Sequence, residues 1–282
     1  MTHASQPSAV PADMPGPPGK LVLVGAGKMG GALLRGWLEA GVAPGRIVIV
    51  DPALSPDMHA LAAEHAIAVH GEIPALAETA AVVLAVKPQM VAPAAQAVRA
   101  RGAEGVLILS IAAGKSVADI SAQAAPAPIV RAMPNTPAAI GRGITAAFAG
   151  AGVSAEQRAL ATWLLQAVGA VVWLDDERLM DAVTALSGSG PAYVFLLTEC
   201  MAAAGGALGL PAALAEQLAR ATVSGAGDLL RHSDAPAGVL RANVTSPGGT
   251  TAAALSVLMA EEGLGLLMRQ AMTAARDRAR EL

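Results

Sequence analysis

Apolar residues fall in short uninterrupted runs over the first 175 or so positions of this chain and at helical spacing over the rest. The run 21–24, Leu-Val-Leu-Val, reads as a fully buried strand, and Gly-Ala-Gly-Lys-Met-Gly follows at 25–30. Met29, Leu33, Leu34 and Trp37 then recur at spacings of three and four, the period of an amphipathic helix. Further strands are expected at 47–50, 67–69, 81–86, 106–111, 129–133, 144–148 and 171–174. Helices are expected at 57–66, 91–101, from Ser116 onward, and at 155–168. Strands alternating with helices predict an α/β fold built on a mainly parallel, doubly wound sheet. After Asp175-Asp176 only helical periodicity remains. Pro211 suits a first helical position, with Leu214, Leu218, Ala221 and Gly225 on one face. Two more helices are expected at 251–260 and 263–280, the last carrying a stripe of Leu264, Leu267, Met268 and Ala271. The expected division is therefore a proline-rich disordered tail at 1–19, a sheet domain at 20–176 and an all-helical domain at 177–282.

The glycines after the first strand add chemistry to this pattern. Gly25 permits a tight turn, Gly27 lets backbone approach a pyrophosphate, and Gly30 lets helix and strand pack closely. The helix start supplies free N–H groups and a partial positive charge, which suit a phosphate. A Gly-x-Gly-x-x-Gly in isolation is weak evidence, but here it stands between a strand and a helix, as a Rossmann-like nucleotide site requires. The second strand ends in Asp51, roughly 20 residues past the glycines, where a ribose-binding carboxylate is expected. The alternative is a βα turn that binds nothing.

Composition narrows the class. The chain has 282 residues, 54% hydrophobic and 15% charged, enough to bury a large core. Aromatic residues make up only 2%, so stacking platforms for single-stranded nucleic acid are missing. A net charge of −3 gives no electrostatic reason to expect nucleic acid or an anionic membrane as partner. One cysteine, Cys200, cannot form an internal disulfide, which suits a reducing cytoplasm. The tail lacks the features of a signal or transit peptide. The stretch 182–215 carries one charge, Glu199, but glycines and Pro211 interrupt it. It reads as a helix pair buried between subunits rather than a membrane span.

Ligands of open α/β sheets bind beyond the carboxyl ends of the strands. Besides the glycines and Asp51, those ends carry Val86-Lys87-Pro88, 110–114 and 133–136, with Lys87 and Asn135 the best-placed polar residues. Their alternatives are a solvated lysine and a turn-forming asparagine. In the helical half, Ser246-Pro247-Gly248-Gly249-Thr250-Thr251 places two glycines and three hydroxyls before a helix, the makings of an anion site. On local pattern alone a helix cap by Thr250 or Thr251 is the stronger reading. The chain has no lysine after Lys115, and His232 is the only histidine of the helical half. Oxidising an alcohol needs a general base, usually His or Lys, whereas a protonated imine is already electrophilic. The absence favours imine reduction. No metal is expected.

These residues also carry a resemblance. From about residue 20 to 282 the chain resembles pyrroline-5-carboxylate reductase, through VGAGKMGGAL (24–33), AVKPQ (85–89), SIAAG (110–114), RAMPNTPA (131–138), DAVTALSGSGPAY (181–193) and NVTSPGGTTAAAL (243–255). The resemblance implies reduction of 1-pyrroline-5-carboxylate to L-proline by NADPH or NADH. It implies a Rossmann-like domain followed by an all-helical dimerisation domain, and homodimers that commonly assemble into larger rings, often decamers. Carried over by position, Gly25, Ala26, Gly27, Lys28, Met29 and Gly30 would hold the pyrophosphate. Val86, Lys87 and Pro88 would line the adenosine and ribose side, with Ala112 and Asn135 near the nicotinamide. Ser246, Gly249, Thr250 and Thr251 would hold the substrate carboxylate, and Thr184 would lie near the imine, so that Thr251 and Thr184 are the implied catalytic residues. Asp234 matches a position often filled by an acid. The SGSGP segment (187–191) would kink a long interface helix. The chain departs from the family at Asp51, where NADPH-preferring members tend to carry Ser, Asn or Arg; a carboxylate there repels a 2′-phosphate. Two other functions fit the motifs less well: a 3-hydroxyacid dehydrogenase, for want of the lysine, and a non-catalytic dinucleotide-binding regulator, which would not need the anion loop.

Overall fold

The computed structural model describes residues 18–281, so the tail expected at 1–19 lies almost wholly outside the described residues. In chain order the first elements are β1 (Lys20–Val24), α1 (Lys28–Glu39), β2 (Ile47–Val50), α2 (Pro56–Glu64), β3 (Ala68–His70), β4 (Thr79–Leu84), α3 (Val91–Ala100) and β5 (Leu107–Ser110). Then come α4 (Val117–Ala124), β6 (Ile129–Met133), β7 (Gly143–Ala149), α5 (Ala155–Gln166) and β8 (Gly169–Trp173). The eight strands form one sheet in the order β3-β2-β1-β4-β5-β6-β7-β8. Every neighbouring pair is parallel except β6 and β7. The strand order reverses direction beside β1, which opens the crevice that a doubly wound sheet offers to a ligand.

The run 21–24 is apolar throughout because both faces of the sheet are covered. Leu21 and Leu23 pack on one side with Ile47, Ile49, Leu33 and Trp37. Val22 and Val24 point to the other, with Val82, Leu84, Ile108 and Ile120. Each such fully buried side chain stabilises the fold by about 1.5–3 kcal/mol. Local signals end the helices. Ser116 accepts from the Asp119 amide while Asp119 accepts from the Ser116 amide, a reciprocal capping box at the start of α4, and Ser154 and Gln157 repeat it on α5. Ser55 caps α2 in the same way from one side, so that helix starts at Pro56 and ends at Glu64, slightly N-terminal to the expected 57–66. At its far end α1 is fastened to the α5 region: the Trp37 indole donates to the Leu164 carbonyl at 2.9 Å, and a methyl on Gly36 would run into the Ala167 carbonyl.

The second half is helical, as expected: α6 (Met180–Val183), a π-helical turn Thr184–Gly188, α7 (Gly190–Ala207), α8 (Ala212–His232), α9 (Ala237–Asn243), α10 (Thr250–Leu258) and α11 (Leu264–Ala279). The π turn, which widens one helical turn by a residue just before α7, overlaps only the first two residues of the SGSGP segment (187–191) where a kink was expected. The chain divides into two compact units. One runs through Gly188 and regains the segment from Arg276 onward; the other is Ser189–Ala275. Within the second unit α7 and α8 form a hairpin through Gly209, whose φ of 99° suits glycine. The small residues Ala215 and Ala219 are what α8 buries; Pro211 stands just before its first turn rather than in it. The expected stripe of Leu214 and Leu218 remains 41% and 48% exposed, and Leu264 and Leu267 of α11 are likewise exposed. Periodicity identified those faces, but among the described residues no element covers them. No helix among the described residues is long and apolar enough to cross a membrane.

Candidate active site

The glycine turn leaves β1 with Gly25 in a left-handed conformation (φ 89°), its N–H donating to the Val50 carbonyl at 2.9 Å. A side chain on Gly25 would press on the Ala85 carbonyl, and one on Gly30 would collide with the carbonyl of Gly25. Gly27 differs: nothing lies within 4 Å of where its Cβ would be, and it is the N-cap of α1 with no side chain capping the helix. Two glycines are thus needed for packing, while the third keeps an open face over uncapped amides. These residues fit the pyrophosphate of a dinucleotide.

Asp51 sits at the end of β2, half-buried. Its Oδ2 accepts from the Ala26 amide and its Oδ1 from the Ala53 amide, both at 2.9 Å. The carboxylate therefore braces the glycine turn, and each oxygen keeps a lone pair for a ribose hydroxyl. Val86 packs beside Gly25, and the exposed Lys87 precedes a 3-10 turn, Pro88–Met90, with its carbonyl bound by the Met90 amide. Ala112 is buried at the end of β5, near the fully buried Ser110. Asn135 follows β6. Its Oδ1 accepts from the Ile144 amide at 3.0 Å and its Nδ2 donates to the Ser187 hydroxyl at 3.4 Å, so its amide joins the β6–β7 connection to the π turn. The Thr184 hydroxyl, at the first position of that turn, donates to the Met180 carbonyl at 2.9 Å.

The first unit thus brings the glycine turn, Asp51, the segment from Val86 to Pro88 and Ala112 to the carboxyl ends of adjacent strands, with Asn135 and Thr184 beyond β6. Ser246, Gly249, Thr250 and Thr251 belong to the helical unit. There Gly248 adopts φ 69° and the Gly249 amide returns to the Ser246 carbonyl at 3.0 Å. The N-cap of α10 is Gly249, and no side chain caps the helix. The cap that Thr250 or Thr251 was expected to provide is not made, because an extended glycine already occupies the cap position. The start of α10 is uncapped by any side chain, and the Ser246 and Thr250 residues beside it are exposed, features that suit an anion.

Two buried groups had no signal in the sequence. Arg131 on β6 and Glu177 form an ion pair at 2.9 Å, 46 positions apart, in the first unit. Asp234, placed by resemblance alone, lies between α8 and α9. Among the described residues no group of three or more His, Cys, Asp or Glu side chains could hold a metal ion.

Comparison with known proteins agrees with this geometry. Residues 177–282 match the family model for pyrroline-5-carboxylate reductase dimerisation, and residues 20–114 match that for NADP oxidoreductase, coenzyme F420-dependent. The chain is 42% identical over 265 residues to the pyrroline-5-carboxylate reductase of Pseudomonas aeruginosa, covering 93% of this chain and 96% of the relative. It is 36% identical to that of Arabidopsis thaliana, over 93% and 95% of the two chains. Its fold matches the pyrroline-5-carboxylate reductase of Coxiella burnetii with a TM-score of 0.86, at 33% identity over 94% of this chain and 98% of the other. It also matches that of Plasmodium falciparum, solved with NADP bound, with a TM-score of 0.79 at 25% identity over 95% and 99%. With a glycine turn shaped for a dinucleotide and an uncapped helix start shaped for an anion, the chain belongs to the pyrroline-5-carboxylate reductase family.

Proposed function

We propose that the chain reduces 1-pyrroline-5-carboxylate to L-proline, the last step of proline synthesis, with NADPH or NADH held by the first unit and the substrate carboxylate by the helical one. When bound, the dinucleotide supplies a hydride to the carbon of the C=N bond. The imine nitrogen already carries a proton, so the π electrons move onto nitrogen and the product is the secondary amine. No general base on the protein is required, which accords with a helical half that contains no lysine. Gly25, Ala26, Gly27, Lys28, Met29 and Gly30 bind the pyrophosphate. Asp51 takes the adenosine ribose, Val86, Lys87 and Pro88 line the adenosine side, and Ala112 and Asn135 lie toward the nicotinamide. Thr184 has spent its hydroxyl proton on Met180, so its oxygen is left as an acceptor, the polarity an iminium N–H needs.

The observation that carries the substrate site is the start of α10: a glycine at the cap, φ 69° before it, and no hydroxyl used as a cap. Ser246, Gly249, Thr250 and Thr251 hold the carboxylate there. Replacing Thr251 by valine keeps the shape and removes one charge-assisted hydrogen bond, worth about 1.5–3 kcal/mol. Catalytic efficiency toward pyrroline-5-carboxylate is expected to fall about 10- to 150-fold, with NADH affinity unchanged. With 1-pyrroline, which has no carboxylate, the variant is expected to lose little. An equal loss with both imines would make Thr251 a structural residue and put the carboxylate elsewhere. Reduction of NAD(P)⁺ by proline at high pH separates this enzyme from a hydroxyacid dehydrogenase and from a silent nucleotide sensor.

Residues 20–176 serve as the nucleotide domain and 177–282 as the dimerisation and substrate domain. We further propose that homodimers assemble into a larger ring, a decamer, and that the enzyme works in the cytoplasm, where the exposed, unpaired Cys200 is compatible with reducing conditions.

A further inference from the structure

The reduction proposed above makes no use of the most buried ion pair in the described chain. Arg131 and Glu177 have side chains only 8% and 23% exposed, whereas the other ion pairs lie at the surface on at least one side. Both hydrogen bonds of the Glu177 carboxylate converge on one oxygen: Oε1 accepts from Arg131 Nη1 at 2.9 Å and from the Val117 amide at 2.8 Å. Val117 is the first residue of α4, so Glu177 also satisfies an amide at that helix start. Alternate residues from Arg131 to Asn135 then meet the segment 177–188. Arg131 binds Glu177, Met133 touches Gly188 so closely that a methyl there would strike its Cε, and Asn135 binds Ser187. All of these residues lie in the first unit.

A buried ion pair is poor evidence of stabilisation, because desolvation offsets its attraction. Its placement suggests another use. We infer that Glu177, held by Arg131 and the Val117 amide, is a positioning residue: it seats one end of the 177–188 segment on β6 while Asn135 seats the other. The π turn with Thr184 is thereby held at a set height beside the carboxyl end of the strand. Hydride transfer is sensitive to such placement, since an error of about 1 Å can cost on the order of 100-fold in rate. The inference rests on the reduction proposed above; a wild-type protein inactive toward pyrroline-5-carboxylate would defeat that reading rather than this one.

The test compares three variants of the full chain. Glu177→Gln keeps an acceptor for Val117 but leaves the guanidinium without its counter-charge; kcat is expected to fall about 10- to 100-fold with both KM values within about twofold. The isotope effect on kcat with NADH deuterated at the transferring position is expected to rise as the chemical step becomes limiting. Arg131→Met with Glu177→Gln removes both charges and is expected to recover the wild-type Tm while kcat stays low. Ser187→Ala, cut at the other seat, is expected to lower kcat about threefold with Tm unchanged. If kcat returns together with Tm in the double variant, or if Ser187→Ala leaves kcat and isotope effect at wild-type values, the pair is only structural and the inference is overturned.

Discussion

The two units solve the burial problem in opposite ways. In the sheet unit Leu21, Leu23, Ile47, Ile49, Leu107 and Leu109 are no more than 1% exposed, because helices cover both faces of the sheet. In the helical unit α7 buries none of its residues, and Phe195 and Leu196 stand 60% and 58% exposed. The two sequences are similarly apolar, so hydrophobicity alone does not separate them. The difference lies in partner supply: the sheet unit closes on itself, whereas the helical unit leaves apolar side chains exposed, in keeping with its match to a dimerisation family. An interface resembling a halved core would be obligate.

The largest effect is expected where that face is broken. Phe195→Asp places a charge on that exposed apolar face, and the dimer dissociation constant is expected to rise by about 100-fold or more, ~2.8 kcal/mol. Sedimentation at micromolar concentration should then show monomer with proline synthesis lost, while NADH titration shows the sheet unit still binding. A folded monomer that keeps full activity would erase the contrast between the units.

A smaller effect is expected inside the sheet unit. Asp51→Ser removes a carboxylate from the proposed ribose site, and relative efficiency is expected to shift toward NADPH by about tenfold, ~1.4 kcal/mol. Because the same carboxylate accepts from the Ala26 and Ala53 amides, the KM values for both dinucleotides should rise together. Steady-state kinetics with each cofactor check this, and an unchanged preference would mean that the ribose does not reach Asp51. The dimer should be indifferent to this substitution.

The smallest effect is a cap. Ser116→Ala removes one side of the α4 capping box and is expected to cost about 1 kcal/mol, independent of protein concentration. The Ser116 hydroxyl, and then its amide, hold the Asp119 carboxyl below its ordinary 3.8. A depressed carboxylate stabilises the fold fully above the ordinary value and loses that contribution as pH falls through the lower, folded-state value. The stability gap between wild type and variant should therefore narrow under acid conditions, as read by denaturant titration from neutral pH downward. A gap that widened toward acid would assign the capping energy to another group.

How much of this was legible depends on how far apart the interacting residues are. β2 begins and ends where its apolar run does, since a strand buried on both faces has no polar position inside it; β6 keeps its expected bounds although it carries Arg131. The glycine turn and Asp51 were legible because their geometry is local, or repeats at a set interval. The bracing of Ala26 by Asp51 was not, since an acid expected at a ribose has no visible reason to bind backbone. Leu214 and Leu218 were correctly grouped on one face, but periodicity cannot say whether a neighbour in the same chain covers it. The SGSGP segment suggested a kink; that its first residues end a π turn touched by Met133 and Asn135, some 50 positions earlier, had no local signal. Arg131 and Glu177 left no trace, because an ion pair across 46 positions has no period to follow.

The fastening of α1 at Gly36 and Trp37 sets a condition on its length. Gly27, at the start of the helix, and Trp37, bound to Leu164, are ten positions apart, about 15 Å along the axis. Each residue added or removed between them would turn one end by about 100° relative to the other. The open face of Gly27 would then swing away from the sheet crevice, or Gly36 would lose its close approach to Ala167. Insertions and deletions tolerable in the turn at 40–46 should therefore be lethal to nucleotide binding within α1, where helix phase links the two ends.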